Sequence, residues 1–309
     1  MQSIHGVLAP AKLNLFLHIT GQRPDGYHLL QSVFMLIDWY DKLDFDLLGG
    51  GEIKRIDAPN AGFIDPNSLS AVTDPGAHNV PPSQPELPGQ DLCVSAALAL
   101  QKATGCKLGA QITLSKTIPQ QAGMGGGSSN AASTLLALNK LWGLGLSRQE
   151  LMRIAVPLGA DVPFFLTGKS AWVEGIGDLL EPIELAASKW AVLKPQNGVS
   201  TQQIFRDPEL HRASKTVTIF DFAVQPFGFG RNDLQPVAER LCPEISQAIR
   251  WLDEQGFKAR MTGSGSAVFA NLPVGAELKV SPPASLGWQL RVCSNLDIHP
   301  QSDWVSSDK

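Results

Sequence analysis

The sequence has few cysteines and no long apolar run, and these absences exclude several classes of protein. Its four cysteines are scattered and form no CxxC pair, so we expect reduced thiols and no structural zinc site. No stretch approaches the roughly 18 consecutive apolar residues that a membrane-spanning helix needs. The first residues lack a basic segment followed by an apolar one, so we predict no secretory leader and a cytoplasmic location.

The sequence also has few charged residues and little excess of either sign. Charged residues make up 17% of the 309 residues and the formal net charge is −4, so no overall basic bias points to nucleic acid or to an anionic membrane. A hydrophobic fraction of 43% is that of an ordinary globular protein, and the length suggests about two domains. We therefore predict neither a nucleic-acid partner nor a membrane partner.

What the sequence does contain is a glycine-rich segment between a predicted strand and a predicted helix. Residues 111–115 alternate polar and apolar side chains, as a half-buried strand does, and apolar residues recur at helical spacing over 132–142. Between them lies Gly123-Met124-Gly125-Gly126-Gly127-Ser128-Ser129, which is typical of a phosphate-binding loop because glycines admit an oxyanion close to the backbone. No Gly-Lys-Ser/Thr follows, so this is not a Walker A loop. A flexible surface loop is the alternative.

Two charged residues are candidates for chemistry. Asp161 lies between apolar pieces, where a carboxylate is costly unless it is paired. It is either the base that accepts a hydroxyl proton during group transfer or the cap of a helix or turn. Lys12 and Asn14 share one face of a predicted strand over 7–19. The Lys12 ammonium either neutralises phosphate and stabilises a catalytic carboxylate, or it protects an edge strand from aggregation.

Other segments give weaker signals. Tyr27 and His28 follow a tight turn, and they either bind a nucleobase or pack against that turn. The glycine turn over 262–266 separates two predicted strands and is a weak candidate for ligand support. Residues 59–90 contain seven prolines and are predicted to form a long irregular insertion. Strands and helices mix without regular βαβ alternation, which favours an α+β fold over a doubly wound sheet.

Three segments together resemble the motifs of the GHMP small-molecule kinases. They are Pro10-Ala11-Lys12-Leu13-Asn14, the glycine loop over 123–129 and Thr262-Gly263-Ser264-Gly265, and their order and spacing agree with that family. The resemblance implies a two-domain fold. Its N-terminal domain, over 1–168, would be like ribosomal protein S5 domain 2, and a C-terminal α/β sandwich-like domain would follow over 169–309.

Further segments narrow the resemblance to a branch of the family whose acceptor carries a cytidine diphosphate. They are Arg23-Pro24-Asp25-Gly26-Tyr27-His28, Gly127-Ser128-Ser129-Asn130-Ala131-Ala132 and Leu158-Gly159-Ala160-Asp161-Val162-Pro163. The resemblance implies ATP-dependent phosphorylation of the 2-hydroxyl group of a methylerythritol linked to cytidine diphosphate. Mg²⁺ is expected with ATP, while the protein ligands of Mg²⁺ and the oligomeric state stay open.

The functional residues of the family carry over motif by motif. Asp161 would be the base and Lys12 its charged neighbour. The resemblance implies that Asn14, Tyr27 and His28 hold the cytidine end of the substrate, with the base stacked against an aromatic ring and Phe205 on the other side of that base. The ATP-binding residues implied by it are Lys116, Pro119, Gln120, Gln121, Ala122, Gly123, Met124, Gly125, Gly126, Gly127, Ser128 and Ser129.

Two positions depart from the family pattern. Gln121 stands where relatives usually have glycine, so it would strain the loop if that position needs a positive φ. Asp91 stands where relatives commonly have asparagine at an adenosine contact. The alternatives are a GHMP kinase acting on homoserine, mevalonate or galactose, a catalytically silent nucleotide-binding member, and a nucleic-acid-binding module. The aromatic residues at 27, 28 and 205 favour an acceptor with a nucleobase.

Overall fold

The structure is a computed structural model that describes residues 2–58 and 91–305. The predicted proline-rich insertion over 59–90 lies outside the described residues. Within the described ranges the chain forms two β-sheets and eight α-helices, so the predicted α+β class is confirmed. None of these helices is both long enough and apolar enough to cross a lipid bilayer.

The first sheet contains the predicted N-terminal strand. Its strands within the described residues are β1 (Ser3–Gln22), β2 (His28–Leu48), β3 (Ile53–Asp57), β4 (Gly109–Ser115), β5 (Ala171–Glu174) and β6 (Leu179–Pro182). They run in the order β3-β4-β2-β5-β6, with β1 paired antiparallel to β2 and only β3 and β4 parallel. Buried and partly exposed positions alternate along β2 from 38 to 46, because one face of this stretch packs against the core.

Four helices pack beside this sheet. They are α1 (Leu92–Thr104), α2 (Gly126–Leu141), α3 (Arg148–Ala155) and α4 (Val162–Thr167). Local capping sets the ends of two of them: Asp91 caps α1, Gly105 ends it with φ of +69°, and the Ser147–Glu150 capping box begins α3. The second helix begins at Gly126, inside the glycine run and earlier than its apolar periodicity indicated.

The second sheet contains the C-terminal strands β7 (Lys189–Lys194), β8 (Ala259–Met261), β9 (Val268–Leu272) and β10 (Gln289–Ser294). Its order is β10-β7-β9-β8, and the predicted strand–turn–strand unit around 262–266 is the β8–β9 pair. The helices of this part are α5 (Thr201–Arg206), α6 (Ile219–Val224), α7 (Gln235–Leu241) and α8 (Glu244–Glu254). The domain boundary after residue 168 stays a prediction; β5 and β6, which follow it, pair with the first sheet.

The outer edge of β1 brings distant segments of the chain together. On this side the Lys12 backbone N–H donates to the carbonyl oxygen of Met124 at 3.0 Å. The Asn14 backbone N–H donates to Oγ1 of Thr262 at 2.8 Å. These bonds satisfy backbone groups that an edge strand would otherwise leave unpaired. They also hold the glycine loop and the 262–266 turn against the same short stretch of strand.

Candidate active site

The glycine loop leads directly into the first turn of α2. Gly125 precedes the helix with φ of +69°, and no side chain among the described residues caps the helix there. The first turn therefore presents the backbone N–H groups of Gly126, Gly127 and Ser128, and such a helix N-terminus attracts an anion. Met124 is buried, so the segment is not the flexible surface loop of the alternative interpretation.

The loop lies directly against the turn over 262–266. A Cβ atom at Gly123 would lie 2.2 Å from the carbonyl oxygen of Thr262, and one at Gly263 would lie 2.7 Å from the carbonyl oxygen of Gly123. The Ser266 backbone N–H donates to the carbonyl oxygen of Gln121 at 2.9 Å. Only glycine allows two backbones to approach this closely. The turn that was a weak candidate in the sequence therefore supports the loop.

Gln121 adopts the left-handed backbone conformation in which a residue with a Cβ atom is strained. Its φ is +50°, the only positive φ of a non-glycine residue in the part of the chain that the structure describes. Such a conformation costs on the order of 1 kcal/mol for a residue with a Cβ atom. Gly198 accommodates the side chain, since a Cβ atom at Gly198 would lie 2.4 Å from Oε1 of Gln121.

Lys12 and Asp161 form an ion pair beside the loop. Nζ of Lys12 lies 3.4 Å from Oδ2 of Asp161, with the lysine side chain 5% exposed and the aspartate side chain 29% exposed. The ammonium also lies 4.5 Å from the centre of the Phe34 ring. A Cβ atom at Gly125 would lie 3.2 Å from Cγ of Lys12, so the lysine side chain touches the loop. A buried cation and an accessible carboxylate thus face the predicted phosphate site.

The geometry does not fit the alternative roles of this pair, which were a helix cap for Asp161 and protection of an edge strand for Lys12. Asp161 stands at the N-cap position of α4, but its side chain makes no capping hydrogen bond. Among the described residues β1 lies at an edge of the first sheet, yet Lys12 is only 4% exposed and cannot shield that edge from solvent.

Asn14 lies beside Lys12, as the two-residue period of β1 predicts. Its Oδ1 accepts a hydrogen bond from Nζ of Lys12 at 2.5 Å, and its Nδ2 donates to Oγ of Ser32 at 3.1 Å. The residue is 1% exposed. These contacts fix the direction of the lysine ammonium, since a buried amide with both ends bonded has little freedom to turn.

A buried carboxylate that sequence reasoning missed holds Lys116. Asp41, fully buried in β2, accepts hydrogen bonds from Lys116 Nζ (2.6 Å), Thr117 N (2.7 Å), Ile118 N (2.8 Å) and Asn130 Nδ2 (2.9 Å). Nζ of Lys116 lies 3.0 Å from the position of a Cβ atom at Gly126, in the first turn of α2. Asp41 therefore fixes a second cation at the loop. Asp41 shares the buried face of β2 with apolar residues, whereas the other three aspartates of this strand lie at partly exposed positions, so the two-residue period of β2 was a signal that could have found it.

A second group of predicted residues gathers around His28. Its ring centre lies 5.1 Å from that of Phe205, with the ring planes tilted by 35°. Tyr27 is 60% exposed, and its ring lies 5.9 Å from the guanidinium carbon of Arg23. Burial lowers the pKa of His28 below its ordinary value, and the charge of Arg212 lowers it further, so the ring is neutral near pH 7. Arg212 carries no sequence signal that we recognised.

The residues described contain no group of three or more histidines, cysteines, aspartates or glutamates that could hold a metal ion. The site thus consists of a glycine loop at a helix N-terminus, two fixed lysines and one accessible carboxylate. This arrangement can bind a polyphosphate and accept a proton beside it.

Comparison with known proteins agrees with this geometry. Residues 91–169 match the GHMP kinases N terminal domain, and residues 226–272 match the GHMP kinases C terminal domain. The 4-diphosphocytidyl-2-C-methyl-D-erythritol kinase of Acidovorax sp. (strain JS42) is 55% identical, over 99% of this chain and 99% of the relative.

Solved structures show the same likeness. A crystal structure of 4-(cytidine 5'-diphospho)-2C-methyl-D-erythritol kinase superposes with a TM-score of 0.71 at 29% identity, covering 93% of this chain and 98% of that one. Methanococcus jannaschii mevalonate kinase has a TM-score of 0.63 at 14% identity, covering 95% and 98%, and shows the shared fold alone. The chain belongs to the GHMP kinases and, within them, to the family of 4-diphosphocytidyl-2-C-methyl-D-erythritol kinases.

Proposed function

We propose that this protein transfers the γ-phosphoryl group of ATP to the 2-hydroxyl group of 4-diphosphocytidyl-2-C-methyl-D-erythritol, a step of the non-mevalonate route to isoprenoid precursors. The observation that supports this most directly is the Lys12–Asp161 pair, at 3.4 Å, beside a glycine loop that opens a helix. Its relatives at 55% identity bear the name of that kinase. An ATP-consuming step on a small diphosphate also fits the cytoplasmic location predicted from the sequence.

The ATP phosphates belong at the glycine loop in this proposal. The free N–H groups over 126–128 and the dipole of α2 favour negative charge there. Lys116, held by Asp41, adds a fixed positive charge at the same turn. Residues 119–125 complete the loop, and its contacts with the 262–266 turn hold it in shape before ATP arrives. Preorganised charge of this kind is the main contribution a protein makes to phosphoryl transfer.

Asp161 serves as the base in the transfer step. The 2-hydroxyl oxygen forms a bond to the γ-phosphorus while the bond from that phosphorus to the β–γ bridging oxygen breaks, and ADP leaves. The hydroxyl proton passes to the carboxylate of Asp161, which is accessible where Lys12 is buried. Lys12, oriented by Asn14, stabilises the negative charge spread over the transferring group.

Mg²⁺ enters the proposal as the companion of ATP. Magnesium sites at nucleotides commonly use one or two protein oxygens together with the phosphates, so a larger cluster of acidic side chains is not required. The loop hydroxyl of Ser128 lies near the segment before Asp161, since a Cβ atom at Gly159 would lie 3.9 Å from its Oγ. We propose Ser128 as the protein ligand. An ion held there would neutralise part of the phosphate charge.

The acceptor spans two subsites in this proposal. The cytidine end lies at His28 and Phe205, whose rings are in contact, with exposed Tyr27 closing over the base. Asn14, which the resemblance implies at the cytidine end, is hydrogen-bonded to Lys12, so in this proposal it belongs to the end of the acceptor that reacts. Along β1, Asn14 precedes Gln22, the partner of His28, by eight residues, so at most about 26 Å of strand separates the subsites. An elongated acceptor with a nucleobase at one end suits that separation.

ATP turnover with a panel of acceptors tests the proposal. Purified protein is assayed for ADP release with 4-diphosphocytidyl-2-C-methyl-D-erythritol, homoserine, mevalonate and galactose in parallel, and the phosphorylated product is identified by mass. We expect turnover with the cytidyl compound alone. Turnover with another alcohol instead would retain the loop and the Lys12–Asp161 pair but reject the cytidine subsite. ATP binding without turnover on any acceptor would favour a silent nucleotide-binding member.

A further inference from the structure

Arg212 contacts the predicted nucleobase subsite through a single ring nitrogen. Its Nε lies 3.0 Å from Nε2 of His28 and donates a hydrogen bond to it. Its terminal nitrogens donate to backbone carbonyl oxygens at distances from 2.8 to 3.1 Å, namely those of Phe205, Asp207 and Leu210. The guanidinium is therefore fixed by the chain segment that also carries Phe205, and it has little freedom to move away from His28.

This contact determines where the proton of His28 resides. A guanidinium Nε–H can only donate, so Nε2 of His28 must present its lone pair. A neutral imidazole carries one proton, which therefore lies on Nδ1. Adding a second proton at Nε2 would break the bond to Arg212 and place two positive groups in contact. Burial and the neighbouring guanidinium both lower the pKa of His28, in agreement with a neutral ring.

We propose that Arg212 is a positioning residue that locks His28 in the Nδ1–H tautomer and thereby makes the acceptor subsite select cytosine over uracil; the specificity part rests on the proposed function. The two pyrimidines differ at ring nitrogen N3, which is a hydrogen-bond acceptor in cytosine and carries a proton in uracil. A histidine locked as a donor can bond the first and opposes the second. Without Arg212 the ring can exchange tautomers and present an acceptor to uracil.

The expected selectivity for cytosine over uracil follows from the cost of placing two hydrogen-bond donors against each other. A site whose buried polar groups match one base rejects the mismatched base by roughly 10- to 100-fold for a single contact. Stacking of the base on the Phe205 ring contributes equally to both bases, because every base has a stacking face. Discrimination between cytosine and uracil is therefore the quantity that reports on Arg212, whereas the affinity for either acceptor alone also reports on stacking.

Two measurements test the proposal. In the full-length protein labelled with ¹⁵N-histidine, the His28 ring nitrogens are assigned by NMR, and we expect Nδ1 protonated and Nε2 unprotonated. The ratio of kcat/KM for the cytidyl acceptor and its uridyl analogue is then measured in the wild type and in Arg212→Met. We expect the ratio to fall at least about tenfold in the variant, mainly through KM, with kcat for the cytidyl acceptor within about threefold.

A matched control separates tautomer control from general support of the segment. Arg240 bonds to Asp207 and Glu209 on the same stretch of chain, so Arg240→Met should leave the ratio unchanged. Equal weakening of both acceptors in Arg212→Met, or a proton on Nε2 in the wild type, would overturn the proposal. The NMR result is obtained on the wild type and decides the tautomer even if Arg212→Met does not fold. Absence of turnover by the wild type would instead count against the proposed function.

Discussion

Replacement of Asp161 by asparagine tests the catalytic assignment most directly. The substitution keeps the shape of the side chain but removes the group that can take up the hydroxyl proton. General-base catalysis typically contributes about 10²–10⁴-fold, so we expect kcat to fall by that factor, equivalent to about 3–5 kcal/mol in the activation barrier.

The structure also sets limits on the side effects of this change. Lys12 loses its ionic partner at 3.4 Å but keeps the hydrogen bond to Asn14 at 2.5 Å and its contact with the Phe34 ring. Because Asp161 is 29% exposed, water can replace part of the lost interaction, and we expect a stability loss of only about 1–2 kcal/mol. ATP binding at the glycine loop should change little, because the N–H groups of α2 are untouched.

The assay measures steady-state ADP release with the cytidyl acceptor, ATP binding by calorimetry, and unfolding in urea for the same preparations. Asp178→Asn, which alters an exposed carboxylate in the turn between β5 and β6, is the matched control and should retain full activity. If Asp161→Asn kept kcat within tenfold of the wild type while folded, Asp161 would not be the base. A large loss of ATP affinity would equally contradict the reasoning, because it would place Asp161 at the nucleotide.

Three further predictions concern the loop, its support and the pH dependence of stability. Gly123→Ala should raise the KM for ATP at least tenfold, because the new Cβ atom would lie 2.2 Å from the Thr262 carbonyl oxygen. Gly143 has a similar φ but open space around it, so Gly143→Ala should lower the free energy of unfolding in urea by only about 1 kcal/mol. Asp41→Asn should lower the free energy of unfolding by about 3 kcal/mol or more and raise the KM for ATP, because an amide cannot accept four hydrogen bonds beside a lysine. Burial, and then the charge of Arg148, lowers the pKa of His299 to about 3. Between pH 6.5 and 3 only the unfolded chain therefore takes up a proton at this residue, which favours unfolding. We expect His299 to lower the free energy of unfolding by about 2 kcal/mol from pH 7 to pH 5.

Each of these three has a result that would contradict it. Equal effects of the two glycine substitutions would mean that the contact with Thr262 does not matter. An Asp41→Asn protein with unchanged stability would show that the carboxylate is dispensable beneath the loop. For His299, the measurement is the difference in unfolding free energy between pH 7 and pH 5 for the wild type and for His299→Asn. An equal acid loss in both proteins would exclude His299 as its source.

Local patterns in the sequence were sufficient for the elements around the loop. Alternation over 111–115 predicted β4, and apolar residues at helical spacing over 132–142 predicted the helix that follows the loop. The two-residue period of β1 placed Lys12 and Asn14 on one face, and they are hydrogen-bonded. These features depend on backbone geometry and on neighbours within a few residues, so a single sequence contains the information.

Contacts between distant segments were beyond such patterns. The two-residue period of β2 puts Asp41 on the buried face, but only folding places it beneath the loop, with four donors around it. Arg212 reaches His28 from a segment that has no helix or strand periodicity. From the sequence, Gln121 would be strained only if its position needed a positive φ. The structure gives it a positive φ where the loop packs on the 262–266 turn.

The sequence by itself determined the kinase family, the glycine loop at a helix start and the candidate residues Lys12 and Asp161, because each of these depends on residue types within a short motif. Tertiary structure decided that this pair is an ion pair with a buried cation and an accessible carboxylate. It also decided which buried groups orient the two lysines and which arginine orients His28. The physical reason is that burial, charge and hydrogen-bond direction at a site depend on what the fold places around each side chain.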